Sequence, residues 1–79
     1  MMKSDVIKID PEILGGTPVF SGTRVPIESL FDNLEAGMSL DEFLAEFPSV
    51  KKDQALTVLE MASKILSSEK AREWYETTA

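Results

Sequence analysis

Between Pro26 and Pro48 the chain reads PIESLFDNLEAGMSLDEFLAEFP, two apolar stripes closed off by residues that a helix does not readily cross. Ile27, Leu30, Phe31 and Leu34 fall at i, i+3, i+4 and i+7, the repeat of one helix face. Pro26 suits the first helical position, where a missing N–H costs nothing, and Glu28 places an anion at the positive end of the helix dipole. Gly37 stops this helix, and Ser39 with Glu42 three residues on forms the S-x-x-E pattern of a capping box, with Met38 set to staple against Phe43. Leu40, Phe43, Leu44 and Phe47 then repeat the stripe until Pro48. The centre of the chain is therefore two short amphipathic helices joined by a tight glycine turn.

A third helix is expected from Lys52 to about Leu66 and, in its longest form, to Trp74. Ala55, Val58, Leu59, Ala62, Ile65 and Leu66 share one stripe, while Leu56 and Met61 widen it on opposite flanks. That arc is wider than one small core uses, so either the N-terminal strands cover both flanks or one flank is an interface. Trp74 and Tyr75, near a chain end with little else to bury them, favour an interface for the tail.

Ahead of the helices, Val6, Ile7 and Ile9 make a short β-like run that ends at Asp10-Pro11, a turn opener, and Gly15-Gly16 lets the chain reverse. Val19-Phe20 and Arg24-Val25, separated by Ser21-Gly22, read as a β-hairpin, since glycine reaches the positive φ such a turn requires. The expected architecture is α+β, mainly α. Strands and turns occupy residues 1–25, a three-helix core of helix-turn-helix, winged-helix-like form with the third helix longest occupies 26–66, and a helical tail occupies 67–79 of a single 1–79 domain.

The chemistry available is narrow, because cysteine and histidine are both absent. Disulfides, thiolate chemistry and most transition-metal sites go with them, and no cofactor is expected. The glycines of GGTPVFSGTR resemble a phosphate loop only loosely: Gly16 and Gly22 are spaced one residue too far apart, and Thr23-Arg24 stands where lysine and a hydroxyl belong. Asp41, Glu42 and Glu46 lie opposite an apolar stripe rather than converging on a metal. The reading is a binding protein, not an enzyme.

The formal charge of −6 is concentrated in residues 26–50, where Glu28, Asp32, Glu35, Asp41, Glu42 and Glu46 face no cation. Residues 51–79 carry five cations and five anions. DNA contact would fall to Lys51, Lys52 and Arg24 at phosphates, with Gln54 and Thr57 one turn apart at base edges. A chain of 79 residues buries only about 60% of its unfolded surface, so a homodimer or another partner is expected. The N-terminal residues lack the apolar stretch of a signal peptide and no run is long enough for a membrane span, which gives a cytoplasmic expectation.

Residues 9–62 resemble the family designated domain of unknown function 433, whose pattern runs close to D-P-x-I-x-G-G-x-P-V-x-x-G-T-R-[IV]-P-V, then a G-x-S-x-x-E helix junction and an aromatic-proline pair before the last helix. The signature falls on Asp10, Pro11, Gly15, Gly16, Pro18, Gly22, Thr23, Arg24 and Pro26, then on Gly37, Ser39, Glu42 and Pro48. The resemblance implies a helix-turn-helix-like antitoxin of a type II toxin–antitoxin pair. Its partner would be a PIN-like ribonuclease, held through Leu56, Met61, Trp74 and Tyr75, and a dimer would touch operator DNA. A stand-alone transcription regulator and a structural dimerisation module are the alternatives. Lys51 departs from relatives that place serine or threonine there, which removes an N-cap from the third helix. Arg24 is expected to pair with Asp10, the other option being to project towards a partner.

Overall fold

The computed structural model describes residues 3–78, so the outermost bounds of the expected 1–79 domain lie outside the described residues. A 3-10 turn at Lys3–Val6 leads into strand β1 (Ile7–Lys8), a second short turn covers Leu14–Gly16, and strand β2 (Val19–Phe20) follows. Four α-helices complete the described chain: α1 (Ile27–Glu35), α2 (Leu40–Glu46), α3 (Lys52–Leu66) and α4 (Glu69–Thr78). The protein is thus mainly helical, with a two-stranded antiparallel sheet at its N-terminal end.

The sheet differs from the expected hairpin. β2 pairs with β1, Ile7 opposite Phe20 and Lys8 opposite Val19. Ser21-Gly22 does turn the chain, with the Thr23 N–H donating to the Phe20 carbonyl at 3.0 Å and Gly22 at φ 79. Arg24-Val25 nevertheless forms no strand; the ladder shrinks to a single bridge between Val19 and Pro26. The reason is local: the bridge is made by the Phe20 N–H on the Val25 carbonyl and the Ile27 N–H on the Pro18 carbonyl, both at 3.0 Å, so Pro26 needs no N–H there, and the pairing ends because α1 begins at Ile27 on one side and the Phe20–Thr23 turn closes the other.

The central helices follow their end signals. Pro26 sits one position earlier than expected, at the N-cap of α1. α1 ends in a Schellman arrangement, in which Gly37 at φ 96 lets its own N–H reach the Leu34 carbonyl and the Met38 N–H reach that of Asn33, both at 3.0 Å. Ser39 and Glu42 close a full capping box: the Ser39 N–H donates to Glu42 Oε1 at 2.8 Å and the Glu42 N–H to Ser39 Oγ at 3.1 Å. α3 starts at Lys52 with Lys51 at the N-cap, where an ammonium cannot accept a hydrogen bond, so Gln54 supplies only the return half by taking the Lys51 N–H at 3.0 Å.

The core is a cluster of Phe20, Leu30, Phe43, Val50, Ala55 and Val58, one or two side chains from each element between β2 and α3. Phe43 stands at its centre, 6.4 Å from the Phe20 ring and 4.8 Å from Phe47, both tilted. Leu59 is the last α3 residue packed against this cluster. At 1.5 Å per residue α3 runs about 22 Å while α2 runs about 10 Å, so the last two turns of α3 outreach the layer beneath them. A continuous helix to Trp74 does not form, because the chain breaks at Ser67-Ser68 and returns as a separate α4. Ser68 caps this helix, its hydroxyl accepting the Ala71 N–H at 3.2 Å. The extents are 39 × 29 × 26 Å and the radius of gyration is 14.0 Å, against about 11.6 Å for a compact chain of this length.

Candidate functional site

Three surfaces carry the residues singled out from the sequence. At the head of α3, Lys51 and Lys52 are exposed and form no ion pair among the described residues. Gln54 is part-buried and occupied at both ends of its amide: Oε1 takes the Lys51 N–H, and Nε2 donates to the Ser21 carbonyl at 3.0 Å. It ties the head of α3 to the β2 turn. Thr57 is half-buried one turn further on. Asp5, Val6, Lys51, Asp53 and Gln54 line a shallow depression here, so Lys51 shares it with two acidic residues. Arg24 is exposed, and the expected pair with Asp10 does not form among the described residues; Asp10 Oδ1 instead takes the Glu12 N–H at 2.9 Å, closing the turn around Pro11.

The second surface is acidic. Glu28, Asp32 and Glu35 on α1, with Asp41, Glu42 and Glu46 on α2, are all exposed, and none forms an ion pair among the described residues. Glu42 differs from the others because the Ser39 amide, and secondarily the Ser39 side chain, hold its carboxyl below the ordinary value of 4.5. No group of three or more Asp, Glu, His or Cys poised to hold a metal occurs among the described residues.

The third surface is apolar and lies on the α3–α4 hairpin. Ile65, Leu66, Trp74 and Tyr75 are each 51–57% exposed, and Leu56 is 48% exposed on the flank of α3. Met61, on the opposite flank, is half-buried. Ala71 is fully buried and turns α4 inwards, so Trp74 and Tyr75, three and four residues on, fall on either side of that contact. The Tyr75 hydroxyl reaches the Leu66 carbonyl at 2.9 Å, which satisfies one of the free carbonyls at the end of α3. Periodicity assigns Ile65 and Leu66 to the core stripe; the structure exposes both. The signal for this is length, since both lie beyond Leu59, where the packed core stops.

Fold and surface together define a small, mainly helical α+β domain that is acidic over α1 and α2 and apolar along a projecting helical hairpin. The chain belongs to the family described as Protein of unknown function (DUF433), which it matches over residues 7–62. The signature from Asp10 to Pro48 lies inside that stretch; the end of α3 and all of α4 lie outside it. The Uncharacterized protein y4eO of Sinorhizobium fredii (strain NBRC 101917 / NGR234) is 38% identical over 50 residues, 63% of this chain and 23% of that protein. The match thus spans about a quarter of the relative's length. The crystal structure of a DUF433 member protein from Anabaena variabilis ATCC 29413, at 2.00 Å resolution, is similar over 95% of this chain and 70% of that one. Its TM-score is 0.65 at 20% identity, which is a likeness of fold. No helix among the described residues is long and apolar enough to cross a membrane.

Proposed function

We propose that this chain is an antitoxin-like binding protein of the cytoplasm, one that neutralises a PIN-like ribonuclease encoded beside it and works without catalysis of its own. The observation that carries this reading is that Leu56 on α3 and Trp74 on α4, two large apolar side chains, stand about half-exposed. Aromatic residues at such positions are typical anchors of protein interfaces. In this reading Leu56 on the flank of α3 and Trp74 on α4 touch the partner. The resemblance in the Asp10–Pro48 signature supplies the class of partner.

Co-expression with the product of the adjacent gene tests the proposal. The expected result is that the neighbour arrests growth alone, is harmless with this chain, and co-purifies with it, and that Leu56→Asp with Trp74→Ala abolishes all protection while the chain stays helical. A harmless neighbour, or one that never co-purifies, would refute the antitoxin role.

A second reading, DNA binding through a helix-turn-helix made by α2 and α3, rests on the exposed, unpaired Lys51 and Lys52 with Arg24. It predicts promoter binding that weakens steeply with salt and with Lys51→Glu plus Lys52→Glu. Gln54 would not read bases while its amide is held by Lys51 and Ser21.

A further inference from the structure

We infer that a second copy of this chain covers the end of the α3–α4 hairpin, with Ile65, Leu66 and Tyr75 forming the seam. This pairing does not depend on the antitoxin reading, which uses Leu56 and Trp74. The first ground is area. The molecule exposes 5661 Å², whereas a compact monomer of its mass, 8.8 kDa, exposes about 4,800 Å². That surplus of about 900 Å² is spread over the whole chain, and on the hairpin Ile65, Leu66 and Tyr75 contribute to it, each more than half exposed.

The second ground is charge, and it selects the occupant. The molecule's excess of −6 sits entirely in residues 26–50, on α1 and α2, while residues 51–79 balance at five cations and five anions. Two copies meeting through α1–α2 would bring six carboxylates against six. The hairpin itself carries Lys52, Lys64, Lys70 and Arg72 against Asp53, Glu60, Glu69, Glu73 and Glu76, so two copies meeting through it bring together a single excess negative charge each, and a strongly charged foreign partner would gain little Coulomb attraction from that face.

Shape is the third. A two-fold interface uses the same patch on both copies and must be self-complementary. On the α3 stripe the half-buried Ala62 lies one turn before Leu66, between the angular positions of Ile65 and Leu66, so large exposed side chains stand beside a small one. When α3 packs against its own copy in antiparallel sense, the large residues of one fill the space above Ala62 of the other, as ridges enter grooves.

Sedimentation equilibrium on the full chain tests this. The wild type is expected at twice 8.8 kDa, and Ile65→Glu with Leu66→Glu at 8.8 kDa with its helical circular dichroism intact, while Leu56→Glu stays dimeric. Should the glutamate pair lose helicity, Ile65→Ser with Leu66→Ser decides instead, with a dimer dissociation constant raised more than tenfold. A wild type that remains at 8.8 kDa up to high protein concentration, or a dimer unaffected by the folded seam variants, overturns the inference. Neither outcome bears on co-purification with the neighbouring gene product, so the two proposals fail separately.

Discussion

The two halves of α3 share one apolar stripe and meet opposite fates. Ala55 and Val58 are buried, at 0% and 3% exposure, whereas Ile65 and Leu66 on the same face are more than half exposed. Nothing in residue type separates them. What differs is what lies underneath: among the described residues Leu59 is the last α3 residue packed against the buried cluster, and α4 returns from the far end of the helix. Helical periodicity reports which face a helix turns inwards; whether anything meets that face is decided by the lengths of other elements. The covered half builds the domain, and the uncovered half is where it has surface to offer.

The sharpest way to break this contrast is to cut one side chain from each half's surroundings. Phe43→Ala removes the ring between Phe20 and Phe47 and should cost about 3–5 kcal/mol, a large part of the stability of a domain this small. Ile65→Ala should change the unfolding free energy of the monomer by less than about 0.5 kcal/mol. Urea melts of both variants at dilute concentration compare them directly, and a large loss for Ile65→Ala would show that the second half is core after all.

The two ends of α3 offer a finer comparison. Gln54→Ala removes the tie between the helix head and Ser21 and leaves the Lys51 N–H without its partner, so about 1–2 kcal/mol should be lost in thermal unfolding. Installing the missing cap should act the other way, Lys51→Ser restoring a complete box with Gln54 for a gain of about 0.5–1 kcal/mol. Tyr75→Phe, at the far end, deletes an exposed bond to Leu66 and should shift stability by no more than about 0.5 kcal/mol.

The smallest effect belongs to the α2 cap. Folding holds the Glu42 carboxyl below its ordinary value of 4.5, so its contribution is fully present above that pH and is lost as pH falls through the lowered folded value. Acid titration followed by circular dichroism should show Glu42→Gln slightly less stable than the wild type at neutral pH, with the difference closing as the pH falls below 4.5.

Local chemistry is what the sequence made legible. Gly37, Ser39 and Glu42 stand within five positions of one another, so the end of α1 and the start of α2 could be read directly, and both form as expected. Contacts that span the chain could not. The ladder partner of Val19-Phe20 is Ile7-Lys8, while on the near side a single bridge to Pro26 forms before the chain turns into α1 at Ile27. Gln54 read as a free surface amide, and its bond to Ser21, 33 residues away, has no signature in either neighbourhood. Ser67-Ser68 contains neither glycine nor proline, yet it ends α3, since the Ser68 hydroxyl can cap the next helix. At the candidate surface, of the residues that the surplus of apolar side chains singled out, Leu56, Trp74 and Tyr75 are exposed and Met61 is half-buried. Exposure of Ile65 and Leu66 depends on tertiary coverage and lay beyond periodicity.

Amide hydrogen exchange on the full chain, from dilute to concentrated solution, tests most directly whether the second half of α3 is an interface. The account predicts that added protection with concentration is confined to the end of α3 and to α4, from about Ala62 to Tyr75, while Ile27–Glu46 exchanges at an unchanged rate. Protection that rises over α1 and α2 instead, or that does not change with concentration anywhere, would contradict it.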